Sequence, residues 1–152
     1  MREAIPSWYC ALVVVRRGDH FLLVHESSHG QSWYLPAGLV EPGEALVEAA
    51  QRETLEEAGI PITIEGIIRI EHTPFPSSTR VRGIFLASPA DNTPPKAQPD
   101  EHSLEAAWIT LADLNSLSLR HLEVRRLLEY VANGGAIYPL KLLAPEGAPL
   151  DG

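Results

Sequence analysis

Residues 38–60 read GLVEPGEALVEAAQRETLEEAGI, and the rest of the chain is best understood outward from this stretch. Pro42-Gly43 signals a turn, and Glu44 opens a run of helix formers that ends at Gly59. On a wheel of 100° per residue, Glu53, Glu56 and Glu57 share one sector of roughly 100°. Leu46 and Ala49 project into that same sector, so the acidic stripe continues a face that begins apolar. Like charges at these spacings destabilise a helix by a few tenths of a kcal/mol per pair, and something cationic should offset them. Arg52 is a single charge pointing elsewhere on the wheel, and the i, i+4 spacing offers it Glu48 as partner. Hard divalent cations such as Mg²⁺ or Mn²⁺ suit three clustered carboxylates. A solvated acidic face is the alternative that the helix alone leaves open.

The surrounding composition bounds the answer. The chain has 152 residues, 12 Lys plus Arg against 20 Asp plus Glu, and a net charge of −8. With 45% hydrophobic residues it is long enough for one proper core, so a single domain over 1–152 is expected. The acidity argues against a long nucleic acid as partner, because such binders need a basic surface. The apolar run Ala11–Val15 ends at Arg16-Arg17, too short for a membrane span and unlike a signal peptide. A single Cys10 excludes an internal disulfide, and a cytoplasmic location is expected.

Outside the quoted stretch, Trp8–Val15 and Phe21–Val24 read as a hairpin of buried strands turned by Arg16-Arg17-Gly18-Asp19. After Pro61, Ile62, Ile64, Ile68 and Ile70 alternate with Thr63, Glu65, Arg69 and Glu71, which predicts a two-faced strand. Thr79–Ala87 is a further strand carrying Arg80 and Arg82 on one face. Residues 88–103 form a long loop without periodicity, of the kind that serves as a lid or stays disordered. Ala106–Thr110 reads as a short strand, and Ser118 is positioned to cap a last helix with the stripe Val124, Leu127, Leu128, Val131. The apolar tail from Ala136 should pack back on the body. The order of elements predicts a mixed α/β or α+β domain.

The quoted stretch resembles the signature of the Nudix hydrolase family, G-x5-E-x7-R-E-U-x-E-E-x-G-U, with U a bulky apolar residue. Gly38, Glu44, Arg52, Glu53, Glu56, Glu57, Gly59 and Ile60 match at the right spacing, and Thr54 replaces the first U. A chance match is on the order of one in 10⁸ per window. The lead-in Trp33-Tyr34-Leu35-Pro36-Ala37-Gly38 extends the likeness. The resemblance implies an α/β/α sandwich around a central mixed sheet, with residues 38–60 as a loop–helix–loop. It also implies Mg²⁺-dependent (or Mn²⁺-dependent) hydrolysis of a nucleoside diphosphate linked to a moiety X. Glu53, Glu56, Glu57 and the carbonyl of Gly38 would hold the metal, and Arg52 would orient the glutamates. Glu53 or Glu57 would be the base, with Glu53 the first choice. Glu44 and Gly59 would be structural.

Relatives often add a carboxylate from a later loop, for which Glu101 and Glu105 are candidates, with His102 standing where an acid is common. Arg80, Arg82 and Trp33 are candidates for substrate binding, Tyr34 and Phe75 for base stacking. His25, His29, His72 and His121 lack metal-ligand spacing. An oxidised or non-standard nucleoside di- or triphosphate is the first substrate class implied. ADP-ribose or another nucleoside-diphosphate sugar is the second, with Pro74 and Pro76 near a marker for it. A non-catalytic nucleotide sensor would have an eroded signature, which this chain lacks, and an isoprenoid diphosphate isomerase would need a reactive cysteine where Cys10 lies among apolar residues. The partner expected is a small nucleotide, not a membrane; monomer and homodimer stay equally open.

Overall fold

A computed structural model describes residues 2–150, so the outermost positions of the expected 1–152 domain lie outside the described range. The chain runs β1 (Ser7–Arg17), β2 (His20–His25), β3 (Trp33–Tyr34), β4 (Ala37–Leu39), α1 (Leu46–Ala58), β5 (Ile62–Pro74), β6 (Thr79–Pro89), β7 (Glu105–Ile109) and α2 (Glu123–Ala132). β1 lies parallel to β6 from Ser7 beside Thr79 to Val15 beside Ala87, while β5 runs antiparallel along the other side of β6. β4 pairs antiparallel with Cys10–Leu12 of β1. At its far end β1 turns into β2, which pairs antiparallel with β3 and β7. The result is the mixed sheet expected of a Nudix α/β/α sandwich.

The apolar run of β1 is continuous because both faces are covered. Ala11, Val13 and Val15 pack with Ala49, Ala50 and Ala58 of α1, whereas Leu12 and Val14 pack with Val124, Leu127, Leu128 and Val131 of α2. Leu128 is fully buried in the second of these layers. Leu128→Ala should cost about 2–5 kcal/mol, seen as a fall in melting temperature of roughly 5–15 °C. A shift below 2 °C would show that α2 does not anchor this layer.

Several local expectations are corrected. α1 begins at Leu46, not Glu44. The Glu44 N–H donates to the Glu41 carbonyl at 3.0 Å, and Glu44 Oε1 accepts the Glu41 N–H at 3.1 Å, so Glu44 closes the turn before the helix. The strict alternation expected in β5 breaks at two register shifts, between Ile64 and Gly66 and between Ile67 and Arg69. Each irregularity changes which face the following side chains take. Ile62, Ile64 and Ile67 therefore join the α1 layer, Ile68 joins the α2 layer, and Ile70 is exposed.

Ser118 caps no helix, since α2 starts five positions later at Glu123. The Ser118 carbonyl instead accepts the Trp33 N–H at 2.8 Å, which fastens this segment beside β3. The tail does fold back: Ile67 and Tyr138 exchange both backbone hydrogen bonds at 2.8 Å. No helix among the described residues is long and apolar enough to cross a membrane.

Candidate active site

The acidic stripe of α1 is organised by Arg52, and not through Glu48. Arg52 Nε and Nη2 donate to the two oxygens of Glu44 at 2.7 and 2.9 Å, a forked pair. Its Nη1 donates to Glu53 Oε1 at 2.8 Å and to Glu56 Oε2 at 3.2 Å, and Nη2 also reaches the Leu39 carbonyl at 3.0 Å. Glu48 turns back to accept the Ala45 N–H at 3.1 Å, closing the first turn of the helix. Wheel geometry misplaced Arg52 because a long side chain can sweep across a turn, and because Glu44 lies outside the helix. Hydrogen bonds from Arg52 and from the Glu41 N–H hold the Glu44 carboxyl below its usual range.

Glu57 and Glu53 also lean on β4, the strand that precedes α1. Glu57 Oε1 accepts the Ala37 N–H at 2.9 Å. Burial pushes the Glu57 carboxyl up to about 8; the Ala37 N–H opposes this, and the charges of Glu53 and Glu26 add to it. Burial also raises the Glu53 carboxyl, against the pull of Arg52. Gly38 meets Glu53 directly: a Cβ at this position would lie 2.1 Å from Glu53 Cδ and Oε1. Only a residue without a side chain lets that carboxylate approach the backbone here. Gly38, Glu53, Glu56, Glu57, Arg52 and Glu44 thus form one constellation. Thr54, the departure from the family signature, is fully buried, and its hydroxyl donates to the Ala50 carbonyl at 2.8 Å.

Glu101 and Glu105 do not enter this constellation. Glu101 is 86% exposed, and Glu105 turns to the His25 Nδ1 at 3.3 Å. His102 is the loop residue that approaches, with Nδ1 3.9 Å from Glu56 Oε2. Sequence reasoning missed Glu26. One of its oxygens accepts from Arg120 at 3.1 Å, while Oε1 is buried without a hydrogen-bond partner among the described residues. Only its place after β2 could have signalled this.

A polar cleft of about 740 Å³ lies on the α2 side of the sheet, lined among others by Tyr34, Phe75, Arg80, Arg82, Arg120 and Glu123. Arg82 is neighbour to Cys10 across the sheet, and Cys10 to Leu39, the residue after Gly38. Two strand spacings, roughly 10 Å, therefore separate this arginine's backbone from the β4 edge. Arg80 has no ion pair among the described residues, and Phe75 is half exposed. Arg82 is engaged: Nε donates to Glu71 at 2.7 Å, and Nη1 and Nη2 donate to Glu123 at 3.1 and 2.7 Å. Trp33 is not among the residues lining the cleft and stacks on His25, with ring centroids 4.6 Å apart.

Burial alone would raise the Glu123 carboxyl, but hydrogen bonds from Arg82 and the Tyr34 hydroxyl outweigh it and hold it at about 2. A carboxyl depressed from 4.5 contributes stability above pH 4.5 that is lost as pH falls toward 2. Glu123→Gln should accordingly flatten the fall in melting temperature between about pH 4.5 and 2. A variant whose acid limb parallels the wild type would show that this group does not drive it.

The family model described as NUDIX domain matches residues 7–131. The chain is 35% identical over 142 residues to a human 8-oxo-dGDP phosphatase, NUDT18, covering 91% of this chain and 43% of that protein. It is 35% identical over 121 residues to the NAD-capped RNA hydrolase NudC of Citrobacter koseri, covering 79% of this chain and 46% of that one. Among solved structures, a Nudix hydrolase from Nitrosomonas europaea superposes with a TM-score of 0.77 at 27% identity, over 93% of this chain and 99% of that chain. A signature complete in its charged residues, on this fold, defines a Nudix hydrolase domain. The chain belongs to the Nudix family, and it spans less than half the length of the curated relatives it matches.

Proposed function

We propose that this chain hydrolyses the phosphoanhydride of a nucleoside diphosphate or triphosphate, including oxidised forms, with Mg²⁺ or Mn²⁺. The observation that carries this reading is the convergence of Glu53 and Glu56 on one cationic atom, Arg52 Nη1, beside the Gly38 backbone. Among the described residues no three His, Cys, Asp or Glu side chains are already arranged to hold an ion. The donor set nevertheless fits one: hard carboxylate oxygens, a Gly38 backbone that the missing Cβ lets the Glu53 carboxylate approach, and a guanidinium standing where positive charge is needed. Glu53, Glu56, Glu57 and the Gly38 carbonyl would hold the ion. Once bound, it would neutralise phosphate oxygens and lower the pKa of a water.

Glu53 and Glu57 each have one oxygen already accepting a hydrogen bond, from Arg52 and from the Ala37 N–H; Glu53, whose carboxylate lies against the Gly38 backbone, is assigned as the base. It would take a proton from the water as the water oxygen bonds to phosphorus and the bridging P–O bond breaks. For a nucleoside diphosphate the products are a nucleoside monophosphate and inorganic phosphate. Arg52, tied to Glu44, keeps Glu53 and Glu56 in register. Arg80 and Phe75 line the cleft where phosphate and base would bind. The substrate class rests on similarity to the human 8-oxo-dGDP phosphatase. Similarity to a bacterial NAD-capped RNA hydrolase favours an adenosine diphosphate linked to a second nucleoside as the alternative.

The test is a panel with Mg²⁺ at pH 7–9: 8-oxo-dGDP, dGDP, dGTP, ADP-ribose and NAD, with released phosphate and nucleoside monophosphate measured. Preference for the nucleoside di- or triphosphates supports the first reading, and preference for ADP-ribose or NAD the second. Nucleotide binding without turnover of any panel member would replace both with a sensor.

A further inference from the structure

The loop between β6 and β7, which its sequence alone reads as a lid or a disordered segment, is fastened to the last turn of α1. A helix leaves its last four carbonyls without partners inside the helix. In α1 these belong to Leu55, Glu56, Glu57 and Ala58. The Leu55 carbonyl accepts the Gly59 N–H at 2.9 Å, with Gly59 in the left-handed conformation (φ 73°) that ends the helix. The loop supplies partners for the other three. Lys96 Nζ donates to the Glu56 carbonyl at 2.6 Å, Ser103 Oγ to the Glu57 carbonyl at 2.6 Å, and the Lys96 N–H to the Ala58 carbonyl at 2.8 Å.

These groups also bind one another. Lys96 Nζ donates to Ser103 Oγ at 3.0 Å and pairs with Asp100 Oδ2 at 2.7 Å. Asp100 Oδ1 accepts the N–H of His102 at 2.8 Å and of Ser103 at 3.2 Å, a turn that presents the serine. Ser103 is fully buried and the Lys96 side chain is 11% exposed. A buried ammonium at a helix C-terminus meets the negative end of the helix dipole. Pro94, Pro95 and Pro99 stiffen the segment that carries it.

We infer that Lys96 and Ser103 are positioning residues for the acidic site, a latch that fixes the backbone from which the Glu56 and Glu57 carboxylates project. They hold the main chain of two residues whose side chains, on the functional reading above, bind the divalent cation. Without the latch the last turn of α1 frays, and the two carboxylates lose their fixed relation to Glu53 and Gly38. Groups that support metal ligands from behind change affinity by about 10–100-fold when removed.

The experiment measures Mn²⁺ binding by electron paramagnetic resonance, without nucleotide, in the wild type, Lys96→Met and Ser103→Ala. The dissociation constant should rise about tenfold or more in Lys96→Met and severalfold in Ser103→Ala. The KM for nucleotide at saturating metal should stay within about twofold, a split that general loss of fold would not produce. Circular dichroism identifies variants that are folded; if Lys96→Met is not, Ser103→Ala carries the test. Folded variants that bind Mn²⁺ as tightly as the wild type overturn the latch alone. A wild type that binds no Mn²⁺ overturns the functional reading, and the latch with it.

Discussion

Replacing Glu56 and Glu57 together by glutamine should lower kcat by about 10³-fold or more while the protein stays folded. Each substitution keeps the shape of the side chain and removes one negative charge. The Glu57 amide oxygen can still accept the Ala37 N–H, and Arg52 keeps its forked pair with Glu44. What is lost is the anionic oxygen that a divalent cation requires. The melting temperature should hold or rise slightly, since the site concentrates like charges and buries Glu57, whose carboxyl is raised mainly by that burial. The measurement is single-turnover hydrolysis of the best panel substrate beside a thermal melt. Turnover within tenfold of wild type would falsify the assignment of these two carboxylates to the metal.

Gly38→Ala is the second large effect, and it comes through a neighbour. The added methyl would sit 2.1 Å from the Glu53 carboxylate, so that side chain must leave its place. Displacement of a catalytic group by about 1 Å can cost on the order of 10² in rate, and kcat should fall by that amount. Stability should suffer little, because among the described residues β4 pairs with β1 alone and Leu39 beside it is exposed. A fully active Gly38→Ala would mean that Glu53 works from a position other than the one against the Gly38 backbone. If both this variant and the double glutamine variant remained active, the chemistry would lie elsewhere in the molecule.

These predictions differ in how much of them could be read from the chain. The helix wheel alone collects Glu53, Glu56 and Glu57 on one face, because helical period is a local property. The apolar run Ala11–Val15 likewise announces a strand covered on both sides, as the alternation of its residues between the α1 and α2 layers bears out. The β5 pattern misled because a bulge is set by pairing with β6, and two irregularities there move Ile68 to the α2 layer and leave Ile70 exposed. Arg52 misled because its partner Glu44 is fixed by a turn outside the helix.

By itself the sequence determined the family signature, the acidic face and the mixed α/β class, since each depends on spacing within a few turns of chain. Tertiary structure decided what surrounds that face. Glu26 comes to it from the end of β2, and Lys96 and Ser103 come from positions 40 and 46 residues away from the carbonyls they hold. It also turned Glu101 and Glu105 away and committed Arg82 to Glu71 and Glu123. Contacts of that range depend on where the chain returns after crossing the sheet. No local periodicity encodes them, because the groups meet only after burial of both faces has set the strand register.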